Sequence, residues 1–135
     1  MAGLFPEGLT AKAFDLLNRC ARDAAGKPLE QLLNLAALHL EDIRQASAQN
    51  LFINFTLADQ IVRTFQHLGA QWEAVPSHGK PWIKGMIRYF CLSTDLESDF
   101  ESPIGFDDDV EIVNACLRLA GREDLCLDPE DFDDV

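Results

Sequence analysis

From Leu29 onward the apolar residues Leu32, Leu33, Ala36, Leu40 and Ile43 recur at intervals of three and four. That spacing lays one stripe along a 3.6-residue helix, whereas a half-buried strand alternates in twos. Glu30, Gln31, Asn34, Glu41 and Arg44 fall on the opposite side. One face is therefore built for a core and the other for water. His39 lies among these residues and reads as structural or exposed, not as a ligand.

The same period returns along the chain. Phe14, Leu17 and Ala21 form one stripe, with Leu16 and Cys20 beside it. Thr10 is a suitable N-cap with Leu9 as a hydrophobic staple, and Gly26 followed by Pro28 is a stop signal. A third helix carries Leu51, Phe55, Ala58, Ile61, Val62, Phe65 and Leu68, and its phenylalanines point to the centre of the core. The polar residues 47–50 either break the chain before this helix or pass straight through. Thr56, with Asp59 three residues on, marks an alternative later start, and Gly69 marks the end. Pro76, Gly79 and Pro81 make the next connector stiff. Ser77 is placed to cap helix four, with Pro81 in its first turn. Trp82, Met86 and Phe90 form one edge of that helix, with Ile83 and Ile87 adjacent. A fifth helix is expected from about residue 108 to 119, with Val110, Ile112, Val113, Cys116, Leu117 and Leu119 as its apolar set and Gly121 as its stop. There is no internal repeat and no strand pair. The expectation is an all-α, single small domain of about five helices over residues 1–126, with an acidic, flexible tail at 127–135. Within it, residues 1–50 form an N-terminal helical pair.

The formal net charge is −12. Phosphate backbones and anionic lipid are bound by basic surfaces, so neither nucleic acid nor a membrane surface is an expected partner. The longest charge-free stretch, residues 45–58, is shorter than the roughly 20 apolar residues that a membrane span needs. The N-terminal residues lack the basic start and apolar core of a secretory signal, so the expected location is cytoplasmic. Cys20, Cys91, Cys116 and Cys126 show no C-x-x-C spacing. The first three sit among apolar residues, as thiols acting as small hydrophobes do.

Residues 89–115 hold five Asp, three Glu and no Lys or Arg. Part of this is helix punctuation. Asp108 and Glu111 have capping-box spacing, with Asp in place of Ser or Thr. Asp107, Asp108 and Asp109 meet the positive end of a helix dipole. Pro103 and Gly105 take the second and fourth positions of a β-turn. Asp95 and Asp99 are placed to accept from free backbone N–H groups. Crowded carboxylates repel, however, unless hydrogen bonds, protons or a cation offset them. Ca²⁺ or Mg²⁺ bound by Asp95, Asp99, Asp108 and Asp109 is the candidate metal site. It is not an EF-hand. With Asp95 first, Phe100 takes the position of the invariant Gly and Phe106 that of the Glu.

Tyr89-Phe90, Asp95-Leu96, Asp99-Phe100, Gly105-Phe106 and Asp108-Asp109 together resemble the signature of the YkvA-like domain, a bacterial family of unknown function. The resemblance covers residues 89–119 and extends loosely back through Trp82, so that residues 51–121 form the YkvA-like part. It implies a small helical domain built on a helix–loop–helix, and no activity. Asp95, Asp99, Asp108 and Asp109 correspond to the family's aspartates. The family's loop prolines and isoleucine are replaced by Ser93, Glu97, Ser98, Glu101 and Ser102, and its leucine by Asp107. The loop is polar here, which argues against lipid contact.

For catalysis the sequence offers no glycine-rich phosphate loop, and His39, His67 and His78 are scattered without an H-E-x-x-H pattern. The expected function is a protein-interaction or structural module without catalysis, taking a basic protein partner. Phe132 between Asp131 and Asp133 is a candidate contact for such a partner. The alternative is a divalent-cation-binding domain, structural or enzymatic.

Overall fold

A computed structural model describes residues 6–49, 55–93 and 107–128. It is all-α: the described residues form five α-helices and two single 3₁₀ turns, with no strand among them. The helices are α1 (Ala11–Ala24), α2 (Leu29–Ser47), α3 (Phe55–Ala70), α4 (Lys80–Ser93) and α5 (Asp107–Leu119). The 3₁₀ turns are Trp72–Ala74 and Glu123–Leu125.

Local chemistry accounts for several boundaries. The Ala13 N–H donates to Thr10 Oγ1 at 3.1 Å, which satisfies one of the free donors at the start of α1. Pro28, at φ −62°, is the N-cap of α2. The polar residues after Ala46 end α2, and the Ser47 hydroxyl donates back to the Arg44 carbonyl at 2.8 Å. Beyond α5, Gly121 takes φ +76°. The Arg122 N–H then reaches the Leu117 carbonyl at 2.8 Å and the Gly121 N–H reaches Arg118 at 3.1 Å, the paired bonds of a Schellman cap.

Four expectations need correction. Phe55 and Thr56 are already helical, so Thr56 does not cap a later start. Gly69 lies inside α3; a Cβ there would come within 2.8 Å of Leu33 Cδ1, so the glycine serves packing of α2 on α3. Helix α4 begins at Lys80, later than a Ser77 cap requires, because the Pro76 carbonyl accepts from both Gly79 and Lys80 and closes a turn first. Leu127, expected to belong to a flexible tail, is instead held in the fold. Leu127 is buried, and its N–H and carbonyl are both held by the Asn114 side-chain amide, at 2.7 and 2.8 Å. Residues 129–135 lie outside the described set.

Helix α4 is the hub. It packs on α1, α2 and α5, and α2 also packs on α3. Leu17 of α1, Leu32 and Ile43 of α2, Phe65 of α3, Phe90 of α4 and Ile112 of α5 belong to one buried cluster. The N-terminal pair thus shares its core with the later helices. Phe65 and Phe90 meet edge to face, with centroids 5.6 Å apart, an arrangement aromatic rings prefer.

The tightest helix contact is between α1 and α4. A Cβ built on Gly85 would stand 2.9 Å from Ala21 Cα and 2.9 Å from its Cβ. Two ties cross the same interface: Arg88 Nε donates to Asp23 at 2.7 Å and Lys84 Nζ to the Ala25 carbonyl at 3.3 Å. Gly85→Ala gains roughly 1 kcal/mol of helix propensity but overpacks against backbone that cannot move aside, at a cost of about 1–3 kcal/mol. The expected result is a net loss of stability in urea unfolding. Gly26→Ala has open space around it and an ordinary φ. It is expected to stabilise by about 0.4–1 kcal/mol. Equal effects at the two glycines would refute this account of α1–α4 packing.

Candidate functional site

The residues that the sequence singles out fall at 95–111, between α4 and the first turns of α5, and at 131–133. Asp95, Asp99, Pro103 and Gly105 lie outside the described residues, as do Asp131, Phe132 and Asp133. Asp108 falls within the first helical turn of α5, not at its N-cap, because Asp107 is already helical. Glu111 is exposed. The helix therefore starts ahead of the expected capping box.

Asp109 behaves differently from a solvated cap. It is 1% exposed and, with Thr64, makes up the buried polar set of the described residues. Its position explains the burial. Asp109 shares a helical stripe with Ile112, Val113 and Cys116, at spacings of three, four and seven, and all three are buried. Extending the apolar stripe of α5 back by one turn would have found it in the sequence. The Thr64 hydroxyl, by contrast, is satisfied within its own helix, donating to the Gln60 carbonyl at 2.9 Å.

Cys91, half-buried near the end of α4, is near enough to feel the charge of Asp109. Burial pushes its thiol up to about 11; the Asp109 carboxylate and Cys20 push the same way, against the Arg88 guanidinium. Burial also raises Cys20, Cys116 and Cys126. Thiols held protonated at neutral pH are poor nucleophiles and poor metal ligands. The Cys116 thiol points at the Trp82 carbonyl, 3.6 Å away, and Cys126 at the Asn114 carbonyl, 3.7 Å away.

The histidines stand on separate elements. His39 is half-buried on α2, edge-on to Phe90 with centroids 5.3 Å apart. His67 is exposed on α3, and His78 is exposed in the connector with Nε2 3.2 Å from the Leu119 carbonyl. Among the described residues, no three His, Cys, Asp or Glu gather as a metal group. No described helix is long and apolar enough to cross a membrane.

The outer side of α2 carries one further surface feature. Pro28, Glu30, Gln31, Asn34, Leu35 and Leu38 line a shallow groove of about 340 Å³ along the outer side of α2. Leu38 is 66% exposed. Two leucines on a face otherwise made of Glu, Gln and Asn were the available signal.

No family model, no curated protein and no solved structure matches the chain. The resemblance of residues 89–119 to the YkvA-like pattern rests on the motif alone.

Burial lowers the affinity of His39 for a proton, and Asp42 offsets this in part. Above pH 6.5 the ring is neutral in folded and unfolded chains alike, and its contribution is intact. Below that value the unfolded chain takes up the proton first, so stability falls until the lower folded value is passed. Wild type is expected to lose more stability between pH 7.5 and 5.5 than His39→Gln, read by urea unfolding. Parallel curves would show that His39 does not contribute.

Proposed function

We propose that this chain is a non-catalytic helical interaction module of the cytoplasm that offers an acidic surface to a basic protein partner. The observation that carries this is the disposition of charge. Arg44, Arg63, Arg88 and Arg122 are each tied to a carboxylate, on Glu41, Asp59, Asp23 and Asp124. Those pairs consume basic groups on a chain that has 11 Lys and Arg against 23 Asp and Glu. What is left for a partner to meet is mostly carboxylate. Protonated thiols and separated histidines add support, since acid–base or nucleophilic chemistry needs such groups in contact.

The YkvA-like assignment belongs to the same proposal. Tyr89 and Phe90 fall on the last turns of α4, and Asp108 and Asp109 on the first turn of α5. The two ends of the motif thus sit on two helices, which supports the reading. Phe132, Asp131 and Asp133 are proposed as a further contact.

Electrostatic steering makes such binding depend on salt. A captured partner would be purified and titrated against the pure protein at about 0.05 M and about 0.5 M salt. The expected outcome is a basic partner whose affinity falls at least about tenfold across that range. Salt-independent affinity would sink the proposal.

Burial of Asp109 favours a second reading. A carboxylate withdrawn from water must be neutralised by hydrogen bonds, a counter-charge or a proton, and Ca²⁺ or Mg²⁺ shared with Asp95, Asp99 and Asp108 would also do it. Metal-stripped protein would be unfolded thermally with each cation at fixed ionic strength, beside Asp95→Asn combined with Asp108→Asn. At about 100 times its Kd a cation adds roughly 2.7 kcal/mol, which moves Tm by several degrees. A selective shift lost in the double variant would establish the cation; no shift is what the interaction-module reading expects.

A further inference from the structure

The outer face of α2 has the shape and charge of a docking site. Leu32, Ala36 and Ile43 turn inward and are fully buried. On the other side Leu35 is half-buried, Leu38 is 66% exposed, and Glu30 and Asp42 are exposed beside them. No Lys or Arg lines the groove. Glu41, nearby, is already engaged by Arg44 at 2.6 and 2.9 Å, which leaves Glu30 and Asp42 to set the sign of the face. Pro28 to Leu38 extends about 15 Å at 1.5 Å per residue, enough for two to three turns of a partner helix.

We propose that this groove receives an amphipathic helix whose apolar anchors are flanked by Lys or Arg. Anchors at i, i+3 or i+4, and i+7 would cover Leu35 and Leu38 while the flanking cations meet Glu30 and Asp42. Charge decides between this occupant and a second copy of the chain. A two-fold pair of α2 faces would set the same carboxylates against each other, between two chains that each carry −12. The inference rests on the reading of the protein as a module for basic partners and gives that reading a place.

The test uses the full chain and a labelled helical peptide of about 15 residues made of Leu and Lys, with a Leu and Glu counterpart sharing the same apolar positions. Binding is followed by fluorescence anisotropy for wild type, Leu38→Ser, and Glu30→Lys combined with Asp42→Lys. All three positions are solvent-exposed, and circular dichroism would confirm that each variant keeps its helices. The Leu/Lys peptide is expected to bind wild type, with affinity about tenfold weaker for each variant, and the Leu/Glu peptide to fail. Salt-dependent binding that survives Leu38→Ser overturns the groove and leaves the acidic-module reading standing. Equal binding of the Leu/Glu peptide overturns the charge argument. Self-association in sedimentation that Leu38→Ser abolishes gives the face to a second copy and overturns the proposal. A Leu/Lys peptide that binds no form of the protein removes the groove, and the salt titration of the captured partner then judges the wider reading separately.

Discussion

The architecture depends on how closely α1 approaches α4. At Gly85 the missing Cβ lets the two backbones come together, since a methyl there would overlap Ala21. Everything else on α4 is positioned from that contact. Phe14 and Trp82 meet at one end of the interface, with centroids 5.6 Å apart, and Asp23 and Arg88 pair toward the other. With α1 fixed on one side, Ile83, Ile87 and Phe90 are buried where α2, α3 and α5 supply partners. The ion pair sets register more than stability, since partly exposed pairs contribute about 0–1 kcal/mol.

Much of this fold was legible because helices announce themselves locally. Thr10, Gly26 with Pro28, and Gly121 act through their own backbone or their nearest neighbours, so their meaning can be read from the residues around them. Gly69, Gly79 and Gly85 act through residues distant in sequence: Leu33, Ala120 and Ala21. A glycine read locally is a stop signal, and only the packed structure shows that another helix leans on it. Ser77 differs, because the competitor is local: the Pro76 carbonyl, one residue before it, accepts from Gly79 and Lys80 and closes the turn first.

The candidate site was less legible, and the burial of Asp109 and the exposure of Leu38 are hidden for one reason. Residue type alone shows neither; helical position shows both. Asp109 is a candidate cap and cation ligand by type, but its burial follows from the stripe it shares with Ile112, Val113 and Cys116. Leu35 and Leu38 match neither the inner stripe nor the polar side of α2. A polar residue on an apolar stripe and an apolar residue on a polar face are the observations that carry functional information, and helical phase reveals both.

Interior and surface divide the remaining possibilities unequally. The described core is nearly all hydrocarbon and thiol; its two buried polar residues are Thr64, satisfied by its own helix, and Asp109 at the start of α5. The thiols there are shifted toward the protonated form by the burial that keeps them in place. The surface is under no such restriction. Its excess of carboxylate opposes the compact state through self-repulsion and favours solubility; under the proposed reading the same charge also meets a basic partner. On the described surface, Leu38, exposed near Glu30 and Asp42, is a point where apolar burial and charge pairing can act on the same ligand.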